Sequence, residues 1–372
     1  MSLSQLTRPH QAVALPRQTP TPCYDITKSY EQNRDEGPFI RQPYPKRAWT
    51  PPRDWTTLFD LPVASPIGIP AGPLLDSKWV TSAAQLGFDI LTYKTIRSCS
   101  FAAHPVPNIV FVQPSTEEAL AIQQSQCPDR LENIAITNSY GNPSSGPEVL
   151  QHDIAKARAH LKRGQIFIVS VFGTGERLKD LAQDYVRTAV LAMEAGAQCI
   201  EVNLSCPNLS KGEGSLYADG EASCMIVQQV VHAVSPLPVI VKTGVFPSDS
   251  QLQRAIRDWA HAGAQGLCGI NTIPMKVQTP DGQPALGRDR LIAGVCGNPI
   301  RDAALHFTRI ARETIDNEHL ELTLLSCGGI TLPEHFDAFL DAGCDGALSA
   351  TGMMWDPYLA LRWHEKQQDR RK

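Results

Sequence analysis

From Leu61 onward, short apolar runs alternate with stretches whose apolar residues recur at helical spacing, a texture that predicts strands and helices in turn. The strand-like runs cover residues 66–69, 90–93, 166–171, 199–202, 238–241, 266–270, 322–325 and 346–349. Several helical stretches end in one recurring junction: Leu86-Gly87-Phe88-Asp89, Ala195-Gly196-Ala197-Gln198, Ala262-Gly263-Ala264-Gln265 and Ala342-Gly343-Cys344-Asp345. Each leads at once into an apolar run, as expected where a glycine just past a helix turns the chain back into a sheet. Alternating βα units imply a parallel sheet, and eight of them suit an α/β fold closed as a single (β/α)8 TIM barrel. A doubly wound open sheet satisfies the same pattern.

Excursions interrupt the alternation. One spans about 98–164 and carries Pro107, Pro114, Pro128 and the polar loop 137–146; the other, 273–297, is rich in Pro and Gly. In a barrel such insertions decorate the C-terminal face, where the active site lies. Residues 1–58, rich in Pro, Gln, Arg and Thr, read as an N-terminal extension with no independent core, leaving 59–372 as the barrel domain.

Composition narrows the function classes. Of 372 residues 42% are hydrophobic and 19% charged, and the net charge of -4 advertises no basic face for nucleic acid. No run approaches the ~18 apolar residues of a membrane span, and the N-terminus has no signal-peptide core. The 10 cysteines include no C-x-x-C pair, and Cys199, Cys268, Cys327 and Cys344 sit in or beside apolar runs, so they read as reduced thiols. A cytoplasmic location is expected.

The residues just past the strand-like runs form a set. Lys94-Thr95, Asn203, Lys242, Asn271-Thr272 and Cys327-Gly328-Gly329 each follow a run, with no histidine or carboxylate among them, which argues against a metal hydrolase and for no metal site. An Asn carboxamide both donates and accepts, so a ring of them suits a heterocycle of alternating N–H and C=O groups. Lysines beside such a ring stabilise negative charge developing on it. The Gly328-Gly329 turn before a helix near Leu332, with Thr351-Gly352 after the last strand, suits a phosphate. A polar ring carrying one phosphate describes FMN. Taken singly, the glycine pair reads as a turn, the lysines as solvated and Cys206 as a structural thiol; the combination carries the argument.

With these residues in order along the chain, 61–361 resembles the dihydroorotate dehydrogenase family, whose barrel is shared with dihydropyrimidine dehydrogenase. The most specific piece is Asn203-Leu204-Ser205-Cys206-Pro207-Asn208, supported by Tyr93-Lys94-Thr95, Asn138-Ser139-Tyr140-Gly141, Val241-Lys242, Ile270-Asn271-Thr272 and Cys327-Gly328-Gly329. The resemblance implies an FMN-dependent oxidation of dihydroorotate to orotate in pyrimidine biosynthesis, with Cys206 as base and Lys94 beside it in the catalytic set. Asn138, Asn203, Asn208, Asn271 and Thr272 would hold the substrate ring, while Lys94 and the backbone of Tyr140, Gly141 and Asn142 would take its carboxylate. Ala71, Gly72, Lys94, Thr95, Asn203, Lys242 and Ile270 would line the flavin, with Gly328, Gly329, Thr351 and Gly352 at its phosphate.

Cysteine rather than serine at position 206 is similar to the soluble class, in which a homodimer is common and an electron-transfer partner is a further option. Departures from the family pattern are Asn142 where a large apolar residue is usual, Ser144 for Asn, Ala350-Thr351-Gly352 at the last turn, Arg97, and the 98–137 insertion. They leave open a dihydropyrimidine lacking the carboxylate as substrate. Readings further away are a Schiff-base lyase using Lys94 or Lys242, and a degenerate barrel that binds a nucleotide-like ligand without turnover.

Overall fold

The computed structural model describes residues 15, 18–47, 49–115, 117–205 and 216–370. Its centre is a closed ring of parallel strands: β1 (Ile67–Ile69), β2 (Ile90–Ile96), β3 (Ile166–Val171), β4 (Cys199–Asn203), β5 (Val239–Lys242), β6 (Gly266–Gly269), β7 (Thr323–Cys327) and β8 (Gly346–Leu348). Each strand neighbours its successor, and β8 returns to β1 through the pairs Ala347–Ile67 and Leu348–Gly68. The strand-like runs of the sequence are thus the barrel strands. The open-sheet alternative fails, because it would leave β1 and β8 as unpaired edges.

Helices α1 (Ser77–Gln85), α2 (Pro147–His160), α3 (Leu178–Glu194), α4 (Gly220–Val234), α5 (Asp249–His261), α6 (Arg301–Asn317), α7 (Pro333–Asp341) and α8 (Leu359–Arg370) follow the strands in turn, with a short helix Thr351–Trp355 before α8. The junction glycines 87, 196, 263 and 343 sit at φ of 102°, 102°, 95° and 102°, the left-handed region expected of a helix-ending Gly. Alternate side chains of each strand face opposite ways. Leu91, Phe167, Ile200, Val241 and Leu324 meet the helices, while Ile90, Ile168, Cys199, Ile240, Leu325 and Leu348 fill the lower interior. The hairpin Thr56–Leu58/Leu61–Val63 plugs that end, Leu58 and Val63 joining the interior cluster.

The two excursions are not separate decorations. Strands Phe111–Ser115, Leu120–Gln124 and Ala135–Asn138 from the first pair with Ile273–Gln278 and Ile292–Gly297 from the second into one closed five-stranded sheet with its own core of Val112, Ala121, Met275, Val277 and Val295. The first excursion also ends earlier than its composition suggested, since α2 is a barrel helix.

The segment before the barrel packs onto it. Cys23, Tyr24 and Tyr30 are buried in the main core, and Thr21 and Cys23 donate backbone hydrogen bonds to Trp355 and Met354 (2.7 and 2.9 Å). Asp89, at the end of the α1–β2 junction, ties this segment down. Both of its carboxylate oxygens accept from the Arg47 guanidinium (2.5 and 2.6 Å), and Ser65 Oγ donates to it at 2.5 Å. His364 of α8 closes the same knot through Nε2 to the Gly87 carbonyl at 2.8 Å.

Asp89 and Arg47 are almost wholly buried, so removing one partner strands the other charge in a poorly solvating interior. Asp89→Asn is expected to cost roughly 3–5 kcal/mol, read as a fall in the urea midpoint; a loss under about 1 kcal/mol would mean the pair is dispensable. Burial, then the nearby Arg47 charge, hold the pKa of His364 down to about 4 from 6.5, so the imidazole is neutral in the fold. Between those values the unfolded chain binds a proton that the folded chain refuses, so stability falls as pH falls through the window. His364→Gln should reduce the slope of unfolding free energy against pH there by up to about 1.4 kcal/mol per unit. An unchanged slope would show that His364 is charged in the fold.

Candidate active site

The alternation that fills the barrel's lower interior with aliphatic side chains brings polar ones inward at its upper end. On β4 the inward series is Cys199, Glu201, Asn203; on β5 it is Ile240, Lys242, the two strands in register at Ile240–Glu201 and Lys242–Asn203. Asn203 organises the rim. Its Nδ2 donates to Thr95 Oγ1 (3.2 Å), itself 2.9 Å from Ser170 Oγ, while its Oδ1 accepts from Ser205 Oγ at 2.7 Å. Asn271 Nδ2 in turn donates to Ser205 Oγ at 2.6 Å. One hydrogen-bonded row therefore crosses the ends of β3, β2, β4 and β6.

Lys242 lies just below this row and is 4% exposed. Burial disfavours its ammonium, but the thiols of Cys327 and Cys268 and the carboxylate of Glu201 outweigh that and raise its pKa, so it carries a full charge. The two thiols share a hydrogen bond across β6 and β7. That bond, against burial and aided by Lys242, holds Cys327 below the usual thiol range and leaves Cys268 raised. Glu201 is fully buried, and neither carboxylate oxygen has a hydrogen-bond partner among the described residues. Lys242 is the counter-charge that makes its burial tolerable.

Ala71, Gly72, Asn138, Tyr140, Lys242, Ile270, Asn271, Thr272, Gly328, Gly329 and Thr351 line one cleft of about 750 Å³. Lys94 and Thr95 line an adjoining cleft that shares Leu75 with the first, and Lys94 Nζ reaches Asn142 Oδ1 at 3.2 Å. Asn203, Gly141 and Asn142 line neither of these two clefts: Asn203 is buried in the strand-end row, and Gly141 and Asn142 are half-buried. Gly352 does not line the cleft; a Cβ there would strike the Ile330 carbonyl, so it serves close packing. Cys206 and Asn208 lie outside the described residues.

The glycine turn is shaped by α6. Gly328 and Gly329 have φ of 136° and 75°, and added Cβ atoms would collide with Ala304 and Arg301. The helix end beyond the turn is not bare, however. Thr331 and Leu332 N–H both donate to His335 Nδ1 at 3.2 Å, so α7 is capped by its own imidazole. Burial and then Arg301 keep His335 neutral, with a pKa of about 4, which lets that nitrogen accept. This side of the cleft is thus formed by the glycine turn and Thr351, rather than by the α7 terminus.

Sequence reasoning missed several neighbours. Tyr24, from the N-terminal segment, lines the cleft with its ring edge-on to Tyr140 (6.1 Å between centroids); an isolated tyrosine between Cys23 and Asp25 gives no signal. Glu201 contradicts the impression of a rim without carboxylates, and strand alternation alone places it inward. Cys268 and Cys327 meet only in the fold, 59 positions apart in sequence.

The chain has relatives among known proteins. A family profile for dihydroorotate dehydrogenase matches residues 126–354. A dihydroorotate dehydrogenase of Dictyostelium discoideum is 44% identical over 358 residues, covering 92% of this chain and 96% of that protein. A dihydroorotate dehydrogenase (quinone) of Clavibacter michiganensis is 24% identical, over 75% of this chain and 74% of its own. The crystal structure of DHODH from Eimeria tenella in complex with ferulenol superposes with a TM-score of 0.65 at 17% identity, covering 86% and 85% of the two chains, a likeness of fold. By sequence, barrel and motif order, the chain belongs to the dihydroorotate dehydrogenase family.

Proposed function

We propose that this chain oxidises dihydroorotate to orotate as an FMN-dependent enzyme, with Cys206 removing the C5 proton of the substrate. The observation that carries the reading is the meeting of Asn138, Asn271, Thr272 and Lys242 in one cleft, above which the Asn271–Ser205–Asn203 row ends one residue short of Cys206. Carboxamides and hydroxyls of that kind match a ring of alternating N–H and C=O groups. The cleft also fits the flavin on its own chemistry. A buried, fully charged Lys242 faces it, Gly72 leaves open space where a side chain would intrude, and the glycine turn with Thr351 lines the same cleft, where a phosphate would sit. FMN, when bound, supplies the acceptor for the hydride that leaves C6.

The protein's own part is to orient and to move a proton. Thr95 and Ser205 fix the Asn203 carboxamide from both sides, so its orientation is set before substrate arrives. Lys242 supplies positive charge without needing reorganisation in the dry interior. Cys206 must be a thiolate to accept the C5 proton, and a thiol of reference pKa about 8.5 reaches that state as pH rises. No helix among the described residues is long and apolar enough to cross a membrane. A cytoplasmic homodimer, handing electrons to an acceptor of its own, completes the reading.

Anaerobic mixing of the purified protein with dihydroorotate should bleach the flavin absorbance. Bleaching by dihydrouracil or dihydrothymine, with none by dihydroorotate, would reassign the substrate, and a colourless protein trapped by borohydride would favour the lyase alternative. Cys206→Ala should keep its flavin yet lose about 10²–10⁴-fold in the rate of bleaching, the usual worth of a positioned base. Near-normal bleaching in that variant would remove Cys206 from the chemistry.

A further inference from the structure

Arg97 stands at the open end of β2, three residues beyond Lys94, and is 9% exposed. Its guanidinium stacks between two aromatic rings, 3.9 Å from the Phe101 centroid and 4.8 Å from that of Phe172. From there Nε donates to the Asn142 carbonyl at 2.8 Å and Nη2 to the Gly141 carbonyl at 3.1 Å. The preceding carbonyl, of Tyr140, accepts from the His104 backbone N–H at 2.9 Å, and the His104 ring lies where a Cβ on Gly141 would have to go. A paired bridge between Phe101 and Ser144, 2.9 Å in each direction, closes the far end of the loop.

The consequence follows from peptide geometry. In a planar trans peptide the C=O and the next N–H point opposite ways. Pinning the carbonyls of Tyr140 and Gly141 toward His104 and Arg97 therefore turns the N–H groups of Gly141 and Asn142 to the other side. Neither N–H has an acceptor among the described residues. Asn142, at φ 54°, also directs Oδ1 to Lys94 Nζ, so the ammonium of Lys94, which lines the adjoining cleft, stands beside the loop that carries the two amide donors, next to Tyr140 in the wall of the first cleft. Parallel N–H donors beside a cation make a receptor for a carboxylate.

We infer that Arg97 is a positioning residue for substrate selection: it holds the Tyr140–Asn142 loop so that its amides, with Lys94, receive the carboxylate that distinguishes dihydroorotate from other dihydropyrimidines. The inference rests on the dihydroorotate reading above. Only a planar, multi-donor side chain bridges two successive carbonyls while its faces lie on aromatic rings; a lysine brings the same charge without that geometry.

The test measures orotate and uracil binding by perturbation of the flavin spectrum, and dihydroorotate reduction kinetics, in wild type, Arg97→Gln and Arg97→Lys. Both variants should weaken orotate binding and raise KM for dihydroorotate by about tenfold or more, the scale of carbonyl partners lost in a half-buried loop. Uracil binding, flavin content and the limiting rate of reduction should stay within about threefold. If Arg97→Lys behaves as wild type, Arg97 acts through charge alone and the positioning role fails. Equal losses for orotate and uracil would reduce it to a structural role and also refute the inference. Should Arg97→Gln fail to hold flavin, Phe101→Leu, which removes the exposed stacking ring and keeps the guanidinium, is expected to weaken orotate selectively by a few-fold, and an unchanged orotate affinity there counts against the proposal. A wild-type flavin that responds to uracil but not to orotate would overturn the dihydroorotate reading and this inference with it.

Discussion

Closure of the parallel ring is the constraint from which the rest follows. Once β8 pairs with β1, every strand has two partners, and strict alternation leaves half of all strand side chains pointing into a space too narrow for water. The lower part of that space is aliphatic and plugged by Leu58 and Val63. The upper part cannot be, because Glu201, Asn203, Lys242, Ser170 and Thr95 fall there by register. Their mutual hydrogen bonds and charges are the condition for burying them at all, and the same bonds fix them in the orientations a ligand would use.

The electrostatics of that upper layer are interdependent. Glu201 alone would be an expensive buried anion and Lys242 alone an expensive buried cation; one turn of the pleat apart on neighbouring strands, they share the cost with the Cys268–Cys327 pair. Among the described residues, the positive group at the floor of the cleft thus has no direct ion pair that would neutralise it. A lysine opposed by a contacting carboxylate would offer little field to a ring above it, whereas one balanced at a distance retains most of it.

Much of this was legible in the sequence because it depends on local periodicity. The strand-like runs, the glycine junctions and the residues after each run mark the barrel and most of its rim: Lys242, Asn271, Thr272, Gly328 and Thr351 line one cleft as residues read off strand ends. What stayed hidden depends on contacts between distant segments. The five-stranded sheet pairs short strands 150 or so positions apart, interrupted by Pro114 and Pro274, so neither half shows a clean period of two. Arg47 and Asp89, Tyr24 and Tyr140, and Cys268 and Cys327 meet only after the ring has closed. The capping of α7 by His335 escaped for another reason: a histidine in the first turn of a helix is not a cap by residue type, and becomes one only as a neutral acceptor.

The inserted sheet builds one wall of the cleft from segments outside the ring. Asn138 closes the strand Ala135–Asn138, and Thr272 precedes Ile273–Gln278; both flank Gly294 on a third strand, where any side chain would collide with the Thr272 hydroxyl. The sheet thus fixes Asn138 and Thr272 relative to each other, independently of the strand-end row that holds Asn203 and Lys242. Its approach loop, 98–108, supplies Phe101 and His104 to the same loop that Arg97 holds. The insertion therefore reaches both sides of the cleft, Asn138 at one and Cys296 and Gly297 beside the glycine turn and Thr351 at the other, while the interior of the ring is locked by its own charges and packing.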